Sequence, residues 1–291
     1  MIRGVNIGVW YMLFASFCFA IMGAMAKELS LYMDSLEVIF FRNIIGVVLI
    51  GVTFLKMPVN QVGGKPFLLL FRGLMGFMAL IAFFYNIAHI SLADAMTFSR
   101  TSPMFTALLA FWFLKEKLGV KELVALVLGF IGILFIMKPN GLQLDLTDIL
   151  GLLSGIGAAL AYTSVKELKK FYDTRVIVLS FMLIGTIGPL IIIAFNDFLN
   201  VEFLKASFIM PDMKMWIMIF GLGLSATIAQ IYMTKAYGAA KAGIVGAVSY
   251  SNILFSLVVG VMLGDALPDF LGAFGIILVI IGGILVAKEK N

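Results

Sequence analysis

Four cationic side chains fall inside stretches otherwise apolar enough to cross a bilayer: Arg42, Arg72, Arg100 and Lys235. No carboxylate does so at mid-depth, since Glu37 and Asp94 stand within about a turn of the helix ends that apolar spacing predicts. A cation at that depth needs a counter-ion, a backbone carbonyl or a water-filled cavity. With too few acids to pair them, some of these cations face a cavity that receives its negative charge from a substrate. The chemistry on offer is recognition of a carboxylate or phosphate by charge-assisted hydrogen bonds, which a guanidinium can make bidentately.

Depth separates the four. At about 1.5 Å per residue, Arg42, Arg72 and Arg100 lie roughly 9–12 Å from their nearer helix ends. That leaves a competing role for Arg42 and Arg72, in which the stem lies in lipid and the head reaches the interface. Arg42 has the further option of pairing with Glu37 or Asp34 across its own helix end. Lys235 lies near a helix end and reads as interfacial. Arg100 is the foremost substrate anchor, because it sits between Thr97, Thr101 and Pro103. A proline there removes a ladder bond and makes Pro103 a candidate hinge.

Other polar groups share helical faces. Arg72, Gly76, Phe83 and Asn86 do so in one stretch, with Tyr85 beside them; Thr227, Gln230 and Thr234 do so in another. Ser249, Asn252 and Ser256 form a third such face, with Tyr250 adjacent. Such residues can line a cavity or simply join helices by hydrogen bonds. Gly151/Gly155 and Gly260/Gly264 have the spacing that lets helices approach closely. Catalytic signatures are absent: no GxxxxGK[ST], no HExxH, a single histidine (His89) and a single cysteine (Cys18). No cofactor, metal or enzymatic role is expected, and no nucleophile–base–orienter set can be assembled at mid-depth.

The elements that must position these residues are helices in a membrane. Of 291 residues, 62% are hydrophobic and 13% charged, against about 45–50% and about 25% in a soluble domain. Ten windows of roughly 20 apolar residues can be cut: 8–29, 35–55, 66–88, 92–114, 119–137, 148–168, 175–195, 213–236, 242–263 and 267–287. The short alternating segments of a membrane barrel do not appear. The first window, with Arg3 before it and Ala24-Met25-Ala26 near its end, also resembles a cleaved signal peptide. Its length and its later counterpart argue for a span.

That counterpart belongs to an internal repeat. Lys27-Glu28-Leu29 returns as Lys166-Glu167-Leu168 and Asp34 as Asp173, both 139 positions on. Ala88 pairs with Ala236 at 148 positions and Glu116 with Asp265 at 149, the 196–212 connection supplying the difference. Five helices per unit turn the second copy upside down. The charges agree with this. With both termini in the cytoplasm, thirteen Lys and Arg lie inside and only Lys27, Lys138, Lys205 and Lys214 outside. The +5 net charge is therefore a topological signal, and no nucleic-acid partner is expected.

LADAMTFSRTSPMFTALLAFWFLKEKL resembles the fourth-to-fifth helix signature of the EamA domain, in the drug/metabolite transporter superfamily. Pro103 and Glu116 match its proline and acid; in the second copy Asp265 matches the acid, and Asn252 stands where a proline is usual. FFRNIIGVVLI, with Arg42, resembles the family's second-helix arginine motif, and Phe181 occupies that register in the second copy. FRGLMGF with the ADA and SRTSPMF runs is similar to the branch of S-adenosylmethionine uptake proteins. The resemblance implies an all-α membrane protein of ten helices in two inverted five-helix EamA repeats, residues 1–140 and 146–291, around a central cavity with alternating access.

The expected function is inner-membrane secondary transport of a small organic metabolite, an amino acid or derivative, zwitterionic or anionic. Protons or a counter-substrate would be the coupling partners, and the bilayer the surroundings. Arg100, Arg72 and Arg42 would bind the substrate, with Tyr85, Asn86, Thr97, Gln230, Ser249, Tyr250 and Asn252 lining the site and Phe83 among its aromatics. Two alternatives remain. A proton-coupled exporter of cationic drugs wants a mid-membrane carboxylate, where the first helix offers Phe17, Cys18, Phe19 and Ala20. A flippase for an anionic lipid would suit the arginines equally well.

Overall fold

Aspartate and asparagine punctuate this chain because each can satisfy the orphan amides that open a helix. In the computed structural model, Asn6 accepts from Gly8 N at 2.8 Å and opens α1 (Ile7–Leu29). Asp34 precedes α2 (Ser35–Lys56), where Glu37 Oε2 reaches back to Asp34 N at 3.0 Å. Pro66 heads α3 (Pro66–His89), a position where its missing N–H has no helical partner to lose. Asp145, Asp173 and Asp212 head α7 (Leu146–Leu168), α8 (Thr174–Ala194) and α9 (Met213–Ala239). The recurrence of Asp34 as Asp173 is thus a recurrence of helix starts.

The other elements are α4 (Leu92–Ser99), α5 (Ser102–Phe113), α6 (Val120–Met137), α10 (Ala242–Ser249), α11 (Ser251–Met262) and α12 (Phe270–Ala287). The structure describes residues 6–59, 62–90, 92–99, 101–113, 115, 119–137, 145–195, 208–264, 267 and 269–287. Among these there is no strand. Seven stretches are long and apolar enough to cross a membrane, counting α10–α11 as one, and shorter apolar helices lie at α5, α6 and α12. With α4–α5 also taken as one crossing, the ten windows read from the sequence are ten crossings. This is a multi-pass, all-helical membrane protein.

Crossings four and nine are each interrupted once, at matching places. Thr101 N donates to Phe98 O at 3.0 Å and Met104 N to Thr101 O at 3.2 Å. In the later crossing Tyr250 N donates to Ala247 O at 3.2 Å and Ile253 N to Tyr250 O at 2.9 Å. Both are single tightened turns with i−3 bonding, and Tyr250 keeps a helical backbone at φ −60°, ψ −23°. Pro103 is the second residue of α5, where a proline is tolerated. The later crossing has Asn252 two residues after its break and no proline there, and is interrupted all the same. Proline alone is therefore not the cause of the break.

Packing divides the helices into two bundles. α1 packs on α9, α10 and α11, and α2 joins them through α9; α3 packs on α7 and α8, and α7 on α4 and α5. α2 meets α8, and α5 meets α10, where Gly246 lets the Pro103 ring approach. α6 and α12 pair chiefly with each other, with Phe135 edge-on to Phe274 at 5.3 Å. At the lysine-rich end Arg175 closes the α2–α8 seam. Its guanidinium donates to Thr53 O, Met57 O and Pro58 O at 3.3, 3.0 and 3.1 Å and to Asp173 at 3.1 Å, over the ring of Phe54. Those carbonyls lie at or just beyond the C-terminal end of α2, where a cation also complements the helix dipole.

Candidate functional site

One cavity lies between the two bundles. α1 contributes Phe19 and Met22, α2 Arg42, α3 Arg72, Gly76, Ala79, Leu80 and Phe83, and α4 Met96 and Ser99. Ser154, Ala158, Ala161 and Tyr162 of α7, Phe181 of α8 and Gln230 of α9 complete the wall. Its volume is about 60 Å³, room for a few waters at about 10–15 Å³ each and well short of the ~300 Å³ of small-molecule pockets.

The chemistry of the wall is concentrated on two guanidiniums, each 1% exposed. Arg72 Nη2 donates to Gln230 Oε1 at 3.1 Å, while its Nε and Nη1 are buried without an acceptor among the described residues. Of the five N–H bonds a guanidinium carries, three are on those two nitrogens. Arg42 donates from Nη1 to Asn43 Oδ1 at 2.8 Å and from Nε to the Met22 sulfur at 3.4 Å, the latter a weak acceptor. Both cations lie over one ring, Phe181, at 5.6 Å for Arg42 and 4.5 Å for Arg72. Their central carbons are thus no more than about 10 Å apart. At an effective dielectric constant of about 20, two like charges at that limit repel by about 1.7 kcal/mol, and by more if closer. Every one of these partners is neutral.

Arg42 does not take the option of pairing with Glu37. Glu37 instead spends its oxygens on Asp34 N at 3.0 Å and Ile209 N at 2.5 Å, tying the start of α2 to the chain entering α9. Asn43, which follows Arg42 in FFRNIIGVVLI and was given no role there, holds Arg42 in place. Its Nδ2 donates to Ile39 O at 2.7 Å and across to Gly185 O of α8 at 3.2 Å. The only signal for it in the sequence is its place beside Arg42.

The remaining expected residues are distributed differently. Gln230 and Phe83 are in the wall. Arg100 and the side chain of Thr97 lie outside the described residues, although Ser99 lines the cavity. Tyr85 stacks on His89 with ring centroids 3.9 Å apart, away from the cavity. Asn86 ties α3 to α7 by donating to Thr147 O at 2.9 Å, and Asn252 ties α11 to α1 through Ser16 O at 2.7 Å. Ser249 bonds Gly246 O at 2.6 Å, and Tyr250 packs with Ile253 and Ile276. Asn86, Ser249 and Asn252 thus join helices or satisfy their own turns, as polar side chains in membranes commonly do.

Comparison with known proteins places this architecture. The model of the EamA-like transporter family matches residues 6–138. An uncharacterized transporter of Helicobacter pylori is 34% identical, over 96% of this chain and 94% of its own length. A pseudopaline exporter of Pseudomonas aeruginosa is 30% identical, over 98% and 97%. An S-adenosylmethionine uptake transporter of Rickettsia felis is 22% identical, over 88% and 84%.

Proposed function

Because this chain belongs to the EamA-like transporter family, we propose that it moves a small anionic or zwitterionic metabolite, an amino acid or derivative, across a bacterial inner membrane. The observation that carries this reading is the cavity's charge. Two buried guanidiniums face it with neutral partners only, and no acidic residue lines it among those described. A substrate carboxylate supplies the missing acceptors, first to Arg72 Nε and Nη1. Arg100, the residue after Ser99, is the third proposed cation. The termini are cytoplasmic, so the Arg175 seam closes the cytoplasmic end.

The mechanism is alternating access by rocking of one bundle against the other. Two five-helix repeats, 1–140 and 146–291, each contribute helices to both bundles. Support comes from the packing, because pairings exchange when crossings one to five are swapped with six to ten. α1 on α9 becomes α7 on α3, α1 on α10–α11 becomes α7 on α4–α5, and α2 on α9 becomes α8 on α3. The α2–α8 and α6–α12 pairs map onto themselves. An export role for cationic drugs is disfavoured by the same charge, since Phe19 and Met22 occupy the first-helix face where that chemistry wants a carboxylate.

The test is a thermal-shift screen of purified protein with carboxylates, amino acids, phosphorylated compounds and cationic dyes, paired with uptake into proteoliposomes. A ligand that binds only the folded state raises Tm. Stabilisation by acidic compounds, lost in Arg72→Gln, is expected. Stabilisation by cationic dyes alone would overturn the reading.

A further inference from the structure

We infer that the substrate carries two negative charges, one for each of the guanidiniums that share Phe181. This rests on the cavity being the substrate site, as proposed above. One carboxylate would satisfy the free donors of Arg72 and neutralise a single elementary charge. Arg42 would then stay buried on a thioether, a carboxamide and a ring edge or face, none of them charged. A buried cation left in that state is costly, and the two arginines repel one another for as long as neither is neutralised.

No acidic side chain among the described residues of the wall provides the second negative charge. Among the described residues the wall holds serines, a tyrosine and an amide as its only other polar groups. Glu37, the acid nearest in sequence to Arg42, is held by two backbone amides at the helix start. Gln230 adds specificity of a different kind. Its Oε1 is turned to Arg72 Nη2, which orients that guanidinium and leaves its Nε and Nη1 free. The recognised chemistry is a small dianion, either two carboxylates on one molecule or a single doubly charged phosphate or sulfate group.

Matched probes test this. Glutarate is compared with its monomethyl ester, and sulfate with methyl sulfate, so that each pair differs by one charge. Dissociation constants are read from thermal-shift titrations of the full-length protein in detergent at fixed ionic strength. We expect the dianion of at least one pair to bind about tenfold more tightly than its monoester, as one further charge-assisted contact implies. A preference confined to glutarate assigns separate carboxylates, and one confined to sulfate a single doubly charged group. Arg42→Gln and Arg72→Gln should each abolish the preference, dianion affinity falling at least tenfold to the level of the monoester or below. The variants also subtract the general stabilisation that sulfate gives any folded protein.

Equal binding of dianions and monoesters, still dependent on Arg72, overturns the two-charge inference and leaves the anion cavity standing. Absence of binding in every arm, with proteoliposome uptake of acidic compounds unchanged in Arg72→Gln, overturns both. Should Arg42→Gln fail to fold, Phe181→Leu provides the second variant. It removes the shared ring without altering charge and should weaken dianion binding more than monoester binding.

Discussion

Gly185→Ala tests whether Arg42 is positioned by Asn43. A Cβ at Gly185 would lie 2.5 Å from Asn43 Nδ2, 2.7 Å from Cγ and 3.0 Å from Oδ1. No rotation of the carboxamide relieves all three contacts, so the group must move as a whole. That amide binds Gly185 O and Ile39 O and accepts from Arg42 Nη1. Overpacking of a tight interface costs about 1–3 kcal/mol, and a lost bond to a charged group about 1.5–3 kcal/mol. The better helix propensity of alanine returns about 1 kcal/mol, for a net loss of about 1.5–5 kcal/mol. The assay is unfolding in detergent together with anion affinity by thermal-shift titration. Both should fall in Gly185→Ala. Adding Asn43→Ala should make the double variant no worse than Asn43→Ala alone, because both changes act through one side chain. Additive losses, or a Gly185→Ala protein that matches the parent in stability and affinity, would refute the positioning role.

Arg175→Gln removes the cation that gathers the last carbonyls of α2. It should cost about 2 kcal/mol and raise the labelling rate of a cysteine placed at Phe54 in a Cys18→Ala background. Phe181→Leu deletes two cation–π contacts of about 0.5–2 kcal/mol each; a lowered Tm, restored by Phe181→Trp, is expected. Gly155→Ala would bring a Cβ into Thr101 Oγ1 beside the α4–α5 turn; it should destabilise by about 1–3 kcal/mol, read by thermal unfolding. Glu167→Gln should cost under about 1 kcal/mol, and nothing measurable in high salt. Its partners Lys65 and Lys170 are 40% and 65% exposed, and such pairs are weak.

Helix boundaries were legible because the residues that end apolar runs here also cap helices. Asp34, Asp173 and Asp212 announce α2, α8 and α9 to within a residue or two. The two arginines of the cavity were legible as well, since a cation amid apolar residues stands out in any window. What surrounds them was not. Phe181 is one of 27 phenylalanines, and nothing in its own helix distinguishes it from a lipid-facing ring. Asn86 and Asn252 show the opposite failure. Helical spacing placed them on polar faces, yet their amides reach backbone carbonyls of neighbouring helices. Periodicity identifies the face of one helix, and this cavity is made by faces of seven. Which polar face turns to a cavity and which to a neighbouring carbonyl is decided by packing between elements far apart in sequence.

On the repeat proposed above, the site forms where the two copies differ. Arg42 and Phe181 occupy the same register, 139 positions apart, and they meet at the bundle interface. Two arginines at that meeting would add repulsion, and two phenylalanines would offer a substrate no donor. At the 148-position offset Arg72 corresponds to Phe220, which is 52% exposed on the outer surface, and Gln230 to Ala82. The first copy thus supplies the charge, while the second supplies the ring that carries it and the amide that orients it. Neither half holds a complete site. Restoring the symmetry by Phe181→Arg should therefore lower stability sharply, read as a lowered Tm in detergent. It adds a further like charge to a cavity of about 60 Å³ already lined by Arg42 and Arg72, and it removes the ring over which those two lie.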